Sequence, residues 1–170
     1  MHVDGDPFRR APALANVIRL FAHWREPLHT VFRTNPGCRR LAALPAPLVA
    51  AADAHADAAV LRQAADNGKL SKFFDVNLTQ VLTDAPLRDT VEIRILPGSI
   101  DADEIVHQAA LVELLLDRCL EEQRFPDPPA DPAAAVDGLL SIAATMLTKQ
   151  TERQDPICLP GGVASNSALP

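Results

Sequence analysis

Thr90-Val91-Glu92-Ile93-Arg94-Ile95-Leu96-Pro97-Gly98-Ser99-Ile100-Asp101 is the stretch whose pattern decides the fold. Val91, Ile93 and Ile95 alternate with Thr90, Glu92 and Arg94. Successive side chains of a strand point to opposite faces, so the pattern predicts a strand over Thr90 to Leu96 with one apolar and one polar face. Glu92 and Arg94 share the polar face. Pro97-Gly98-Ser99 then turns the chain, and Asp101 with Glu104 three residues on has the spacing of a helix-starting capping box. The helix that follows is expected to run to about Gln123. Its buried stripe is Ile105, Ala109, Val112, Leu116 and Cys119, widened by Leu115 and Leu120, with His107 on the solvated side.

Upstream, the period is also two. Phe74, Val76, Leu78 and Leu82 point one way and Asp75, Asn77 and Thr79 the other, which predicts a strand over Phe73 to Leu82 with one wet face. A seven-residue connection through Asp84, Pro86 and Asp89 is longer than a tight hairpin, so the two strands either pair directly or flank a third. Further upstream the period is helical. Leu14, Val17, Ile18, Phe21, Trp24, Leu28, Val31 and Phe32 form one stripe between Pro12 and Phe32, divided at Glu26-Pro27 and ended by Asn35-Pro36-Gly37. A second, alanine-rich helix is expected from about Pro47 to Asp66, with His55 half-buried on its packing side and Asn67-Gly68 supplying a left-handed stop.

Downstream, Phe125-Pro126-Asp127-Pro128-Pro129 reads as a stiff linker over residues 125–132. A last helix is expected over residues 133–149, capped by Asp131 with Pro132 in its first turn, and with Val136, Leu139, Leu140, Ala143 and Leu147 on its apolar face. Residues 150–170 lack periodicity and read as a flexible tail. Residues 1–124 are left as the main domain. The fold class is α/β of the α+β kind.

A length of 170 residues suits one domain with its own core, and with 48% hydrophobic but only 4% aromatic residues that core must be built mainly of Ala, Leu, Val and Ile. The formal net charge of -6 excludes a sequence-independent binder of phosphate backbones, so no nucleic acid partner is expected. Cys38, Cys119 and Cys158 lack metal-site spacing and read as reduced thiols. No apolar run approaches the ~18 residues of a membrane span and no signal peptide opens the chain, which places it in the cytoplasm with no membrane partner.

On spacing alone, Glu92 and Arg94 describe a solvated ion pair far better than a site in which a carboxylate holds a cation while a guanidinium meets a phosphoryl group, and the second reading needs more than spacing. The wider segment resembles a known family. Lys72-Phe73-Phe74-Asp75-Val76-Asn77-Leu78, followed by Thr90-Val91-Glu92-Ile93-Arg94-Ile95-Leu96-Pro97-Gly98-Ser99-Ile100-Asp101, is similar to the signature of the amidoligases. These are carboxylate-amine ligases related to glutamine synthetase and glutamate-cysteine ligase. The Arg39-Arg40 pair after Asn35-Pro36 and the opening His2-Val3-Asp4 also resemble the family, and the likeness spans roughly Met1 to Glu122.

The resemblance implies the helix-rich C-terminal part of a glutamine-synthetase-like antiparallel sheet covered by helices. It implies an amide bond made through an acyl phosphate with ATP and Mg2+, from small-molecule or peptide carboxylate and amine substrates. By the same likeness Glu92 is a magnesium ligand, His2 a metal or substrate contact, and Arg94 the contact to the transferring phosphoryl group. Lys72, Asn77, Arg39 and Arg40 are contacts to nucleotide or substrate. The family carries a Glu-x-Glu pair on earlier strands, and no strand-like segment here has one. The chain is therefore expected to be incomplete and inactive alone, with a missing N-terminal half or split partner supplying the other ligands. The alternative is a non-catalytic binding or assembly module derived from such a half.

Overall fold

The alternation of residues 90–95 survives in three dimensions because it matches what packs on either side. The computed structural model describes residues 1–38 and 40–154. Three short strands, β1 (His2–Asp4), β2 (Val76–Asn77) and β3 (Thr90–Ile93), form an antiparallel sheet in the order β1-β3-β2. His2 pairs with Glu92 on one side of β3, and Asn77 pairs with Glu92 on the other. The two predicted strands therefore pair directly, and the N-terminal residues complete the sheet. Val76, Val91, Ile93 and Ile95 are fully buried against the helices. Burying an aliphatic side chain of this size contributes about 1.5–3 kcal/mol, which holds the register against a one-residue slip.

Gly5 carries the chain out of β1, and its N–H donates to the Asp89 carbonyl at 2.9 Å. A Cβ there would sit 2.6 Å from Asp89 Oδ1 and 2.8 Å from Val81, so the close approach requires glycine. Arg9, in the 3-10 turn that follows, ties down the loop before β3. It donates to both Asp89 carboxylate oxygens and to the carbonyls of Gln80 and Thr83.

Six α-helices among the described residues pack with the sheet, α2 reaching its polar face at Asp75: α1 (Ala11–His23), α2 (Arg25–Val31), α3 (Ala46–Asp53), α4 (Ala58–Asn67), α5 (Ala102–Leu120) and α6 (Pro132–Gln154). The break between α1 and α2 falls at Trp24, which leaves Pro27 in the first turn of α2, where its missing N–H costs nothing. Trp24 is buried, its Nε1 donates to the Pro126 carbonyl at 2.7 Å, and its ring meets Phe125 edge-on at 6.2 Å. Phe125 is itself fully buried, so the proline-rich stretch packs into the core at its first residue. One hydrophobic cluster runs from Phe8 through the sheet to Leu139 and Ala143 of α6.

Several expectations need correction. The helix expected over 47–66 is two helices, because His55 adopts a left-handed backbone (φ 55°) and Asp57 caps a new start by accepting from the Val60 N–H at 2.9 Å. His55 is consequently exposed rather than half-buried. The stop after α4 does not use Gly68 in the left-handed region; Lys69 takes it, at φ 53°. The strand expected over 73–82 shrinks to Val76–Asn77, because Asn77 Oδ1 accepts from both the N–H and the hydroxyl of Thr79 and folds the chain into a turn. Asp75 does not face water: α2 covers it.

Asp101 caps α5 as its spacing predicts, accepting from the N–H groups of Asp103 and Glu104. The helix ends at Leu120 rather than Gln123, where Asn16 from α1 takes over the free carbonyls of Cys119, Glu121 and Gln123. Val112, Leu115, Leu116 and Cys119 are buried, but Ile105 lies a turn beyond the core and is half exposed. Burial also pushes the Cys119 thiol up, which suits an inert packing residue. Asp131 caps α6 through the Ala134 N–H. That helix presents Ala135, Leu139, Ala143 and Met146 to the core, a stripe rotated from the expected one, and leaves Leu140 and Leu147 exposed. It extends to Gln154, past the expected end at 149. Cys158 and the rest of the expected tail from 155 onward lie outside the described residues. Among the described residues no helix is long and apolar enough to cross a membrane.

Candidate functional site

The polar face of the sheet gathers four side chains named from the sequence, Glu92, Arg94, Asn77 and His2. Glu92 stands at the centre: its Oε2 accepts from the Asn77 amide at 2.9 Å and its Oε1 from Arg94 Nη1 at 2.8 Å. Strand pairing fixes both contacts, since Asn77 is the cross-strand partner of Glu92 and Arg94 is two residues along the same face. Partial burial alone would raise the Glu92 carboxyl. The Asn77 hydrogen bond, with the Arg94 and His2 charges, outweighs it and holds the group below the usual carboxylate range. Glu92 is a fixed anion. His2, across from it on β1, is exposed, with Nδ1 3.4 Å from the Thr90 hydroxyl. A recess of about 200 Å³ opens over this end of the sheet, lined by His2, Asn77, Gln80, Thr90 and Glu92.

At its other end the face carries residues that the sequence reading missed. Asp75 is buried, and its Oδ2 accepts from Arg25 Nε at 2.6 Å and lies 3.1 Å from His29 Nε2. Arg25 and His29 are one turn apart on α2, and that i, i+4 pair of basic side chains on one helix face was the available signal. Asp75 Oδ1 and Arg94 Nε are both buried and find no hydrogen-bond partner among the described residues.

The remaining candidates do not converge. Lys72 is exposed, with its ammonium 5.4 Å above the ring of its neighbour Phe73. Arg40 is exposed beside Leu41 and Ala42, a segment that pairs with residues 73–75 and accepts from Arg25 at the Leu41 carbonyl. Arg39 lies outside the described residues.

The donor set can be tested against the magnesium that the resemblance implies. Each Glu92 oxygen already accepts a hydrogen bond, and no group of three or more His, Cys, Asp or Glu among the described residues is placed to hold a metal ion. Magnesium bound with nucleotide prefers octahedral oxygen coordination with carboxylate help. These residues by themselves do not fit a magnesium pair. What they offer is a guanidinium, an amide and an imidazole around one ionised carboxylate on an open sheet face. No family model matches the chain, and neither a curated protein nor a solved structure matches it.

Proposed function

We propose that the polar face of β3 is one wall of the active site of an ATP-dependent carboxylate-amine ligase of the amidoligase type. The observation that carries this reading is the arrangement of Glu92, Arg94 and Asn77 on the open face of a central antiparallel strand whose other face is packed on helices. In such a ligase a substrate carboxylate oxygen attacks the γ-phosphorus of ATP and ADP departs. An amine then attacks the acyl phosphate carbon and phosphate leaves. Arg94 meets the charge on the transferring phosphoryl group, and Glu92 with Asn77 holds Arg94 in place for it. Further carboxylates come from outside the described residues.

The rival reading is a binding or assembly module without catalysis. It is favoured by the closure of the Glu92 contacts, each oxygen being satisfied from within the sheet. A coupled assay for ADP release separates the two, with ATP, magnesium and a panel of carboxylates and amines. It is run on the chain alone and on the chain joined to a segment bearing a Glu-x-Glu strand. The ligase reading expects amine-dependent ADP release only from the joined protein, falling by on the order of 10²-fold in Arg94→Ala. Absence of turnover in both leaves the assembly module standing. Turnover by the chain alone places the metal ligands elsewhere in these residues.

A further inference from the structure

A second recess, of about 250 Å³, has no residue from the sheet. It opens between the start of α1, the left-handed break between α3 and α4, and the segment after α5. Ala15 and Asn16 form one side, His55 and Asp57 another, and Glu122 and Arg124 the rim, with Arg19 at the base.

Arg19 is the unusual member. Its side chain is 2% exposed, and a charge so buried is normally matched by a dedicated carboxylate. Here Nη1 donates to Asn16 Oδ1 and Nη2 to the Ala52 carbonyl, using two of the five guanidinium N–H donors. Nε stands 3.5 Å from Asp53 Oδ1 but makes no hydrogen bond among the described residues. Asp53 is shared: it also takes His23 Nε2 at 3.0 Å and Arg124 Nη2 at 3.4 Å. Two guanidinium groups thus line one recess and share Asp53, and Arg124 also donates to Asp127 at 3.3 Å, which leaves Arg19 as the one without a carboxylate hydrogen bond among the described residues. Burial and then the nearby Arg124 charge push the Arg19 guanidinium down from its ordinary value, with Asp53 opposing them. An anion between them would relieve both the missing hydrogen bonds and the repulsion.

The break beside the recess adds to this. His55 is held at φ 55°, a conformation uncommon outside glycine, and the strain leaves its imidazole at the recess instead of on a helix face. The acids present do not fill the anion's role. Asp57 Oδ1 is spent on the first turn of α4, Glu122 is exposed at the rim, and Asp127, which does not line the recess, is 63% exposed and hydrogen-bonds Arg124.

We propose that this recess is an oxyanion site, taking the carboxylate or phosphate group of a small ligand against Arg19 and Arg124. The site is independent of the ligase reading. The test is isothermal titration of the full chain with inorganic phosphate and, separately, with acetate. Sodium chloride at matched ionic strength serves as the control for screening. The expected result is saturable binding of one of the two with a Kd of about 1 mM or tighter, as two charge-assisted contacts allow. Arg124→Gln should weaken it about tenfold, and Glu122→Gln, which removes rim repulsion, should tighten it about threefold. Phosphate alone binding identifies a phosphoryl ligand, and acetate binding identifies a carboxylate. Binding of neither ion overturns the site, as does a Glu122→Gln protein with unchanged or weaker affinity.

Discussion

Asp75 lies directly opposite Arg94, one step beyond the last residue pair of β2 and β3, and the Arg94 N–H donates to the Asp75 carbonyl at 3.0 Å. Their side chains therefore share the face that carries Glu92 and Asn77. Asp75 turns to α2, binding Arg25 and His29, while Arg94 turns along the strand to Glu92. One residue anchors the helix to the sheet, and the other belongs to the candidate site.

That division predicts unequal costs. Asp75→Asn removes the buried charge that Arg25 and His29 share, and should destabilise the protein by about 2–4 kcal/mol. Arg94→Ala removes a half-buried partner of a half-buried carboxylate and should cost about 1 kcal/mol or less. Urea unfolding of the two variants measures both. Equal losses would mean that Arg94 is as structural as Asp75.

The depressed Glu92 carboxyl can be followed by NMR with side-chain carboxyl labelling. In the native chain Glu92 should titrate below the ordinary glutamate range, and in Asn77→Ala it should move up, because the principal hydrogen bond to its charged form is gone. Since the folded value is the lower one, Glu92 contributes stability above its unfolded pKa that is lost as pH falls through the folded value. A Glu92 signal indifferent to Asn77→Ala would contradict the sheet register.

Asp53 joins α3 to α1 and to the segment after α5. Burial would raise its carboxyl, but the His23 hydrogen bond and the charges of His23, Arg124 and Arg19 hold it below the usual range. The network should therefore stabilise the fold above the unfolded pKa of an aspartate and fade as pH falls through the lower folded value. Asp53→Asn should cost about 1 kcal/mol at pH 7, little for a group open to solvent on one side, and the difference from the parent should vanish toward pH 2. Denaturation midpoints across that pH range decide it.

Trp24 is the single tryptophan, so its fluorescence reports one contact. Phe125→Ala opens a cavity against its ring, and truncating a buried phenylalanine typically costs about 3–5 kcal/mol. The emission should shift to the red as water reaches the indole. An unchanged spectrum with unchanged stability would show that residues 125–132 act as a spacer only.

A strand starting at Thr90, expected to run to Leu96 and ending at Ile93, the cap at Asp101, the division of the first helix near Pro27 and the common face of Glu92 and Arg94 were legible in the sequence. Each depends on neighbours a few residues apart: backbone alternation, a carboxylate beside free N–H groups, a ring that lacks a donor. Tertiary structure decided the rest. Asp75 looks like a wet-face residue until Arg25 and His29 arrive from nearly fifty residues away, and a helix over 47–66 looks continuous although the chain turns left-handed at His55, just after the Ala52 carbonyl that Arg19 takes. The α5 end and the α6 stripe were misplaced for the same reason: Asn16 of α1 takes the carbonyls at the end of α5, and the Trp24 ring lies against Gly138 of α6. A one-dimensional pattern records which residues can share a face. Which face is buried, and which charge is shared, depends on long-range partners that local periodicity does not encode.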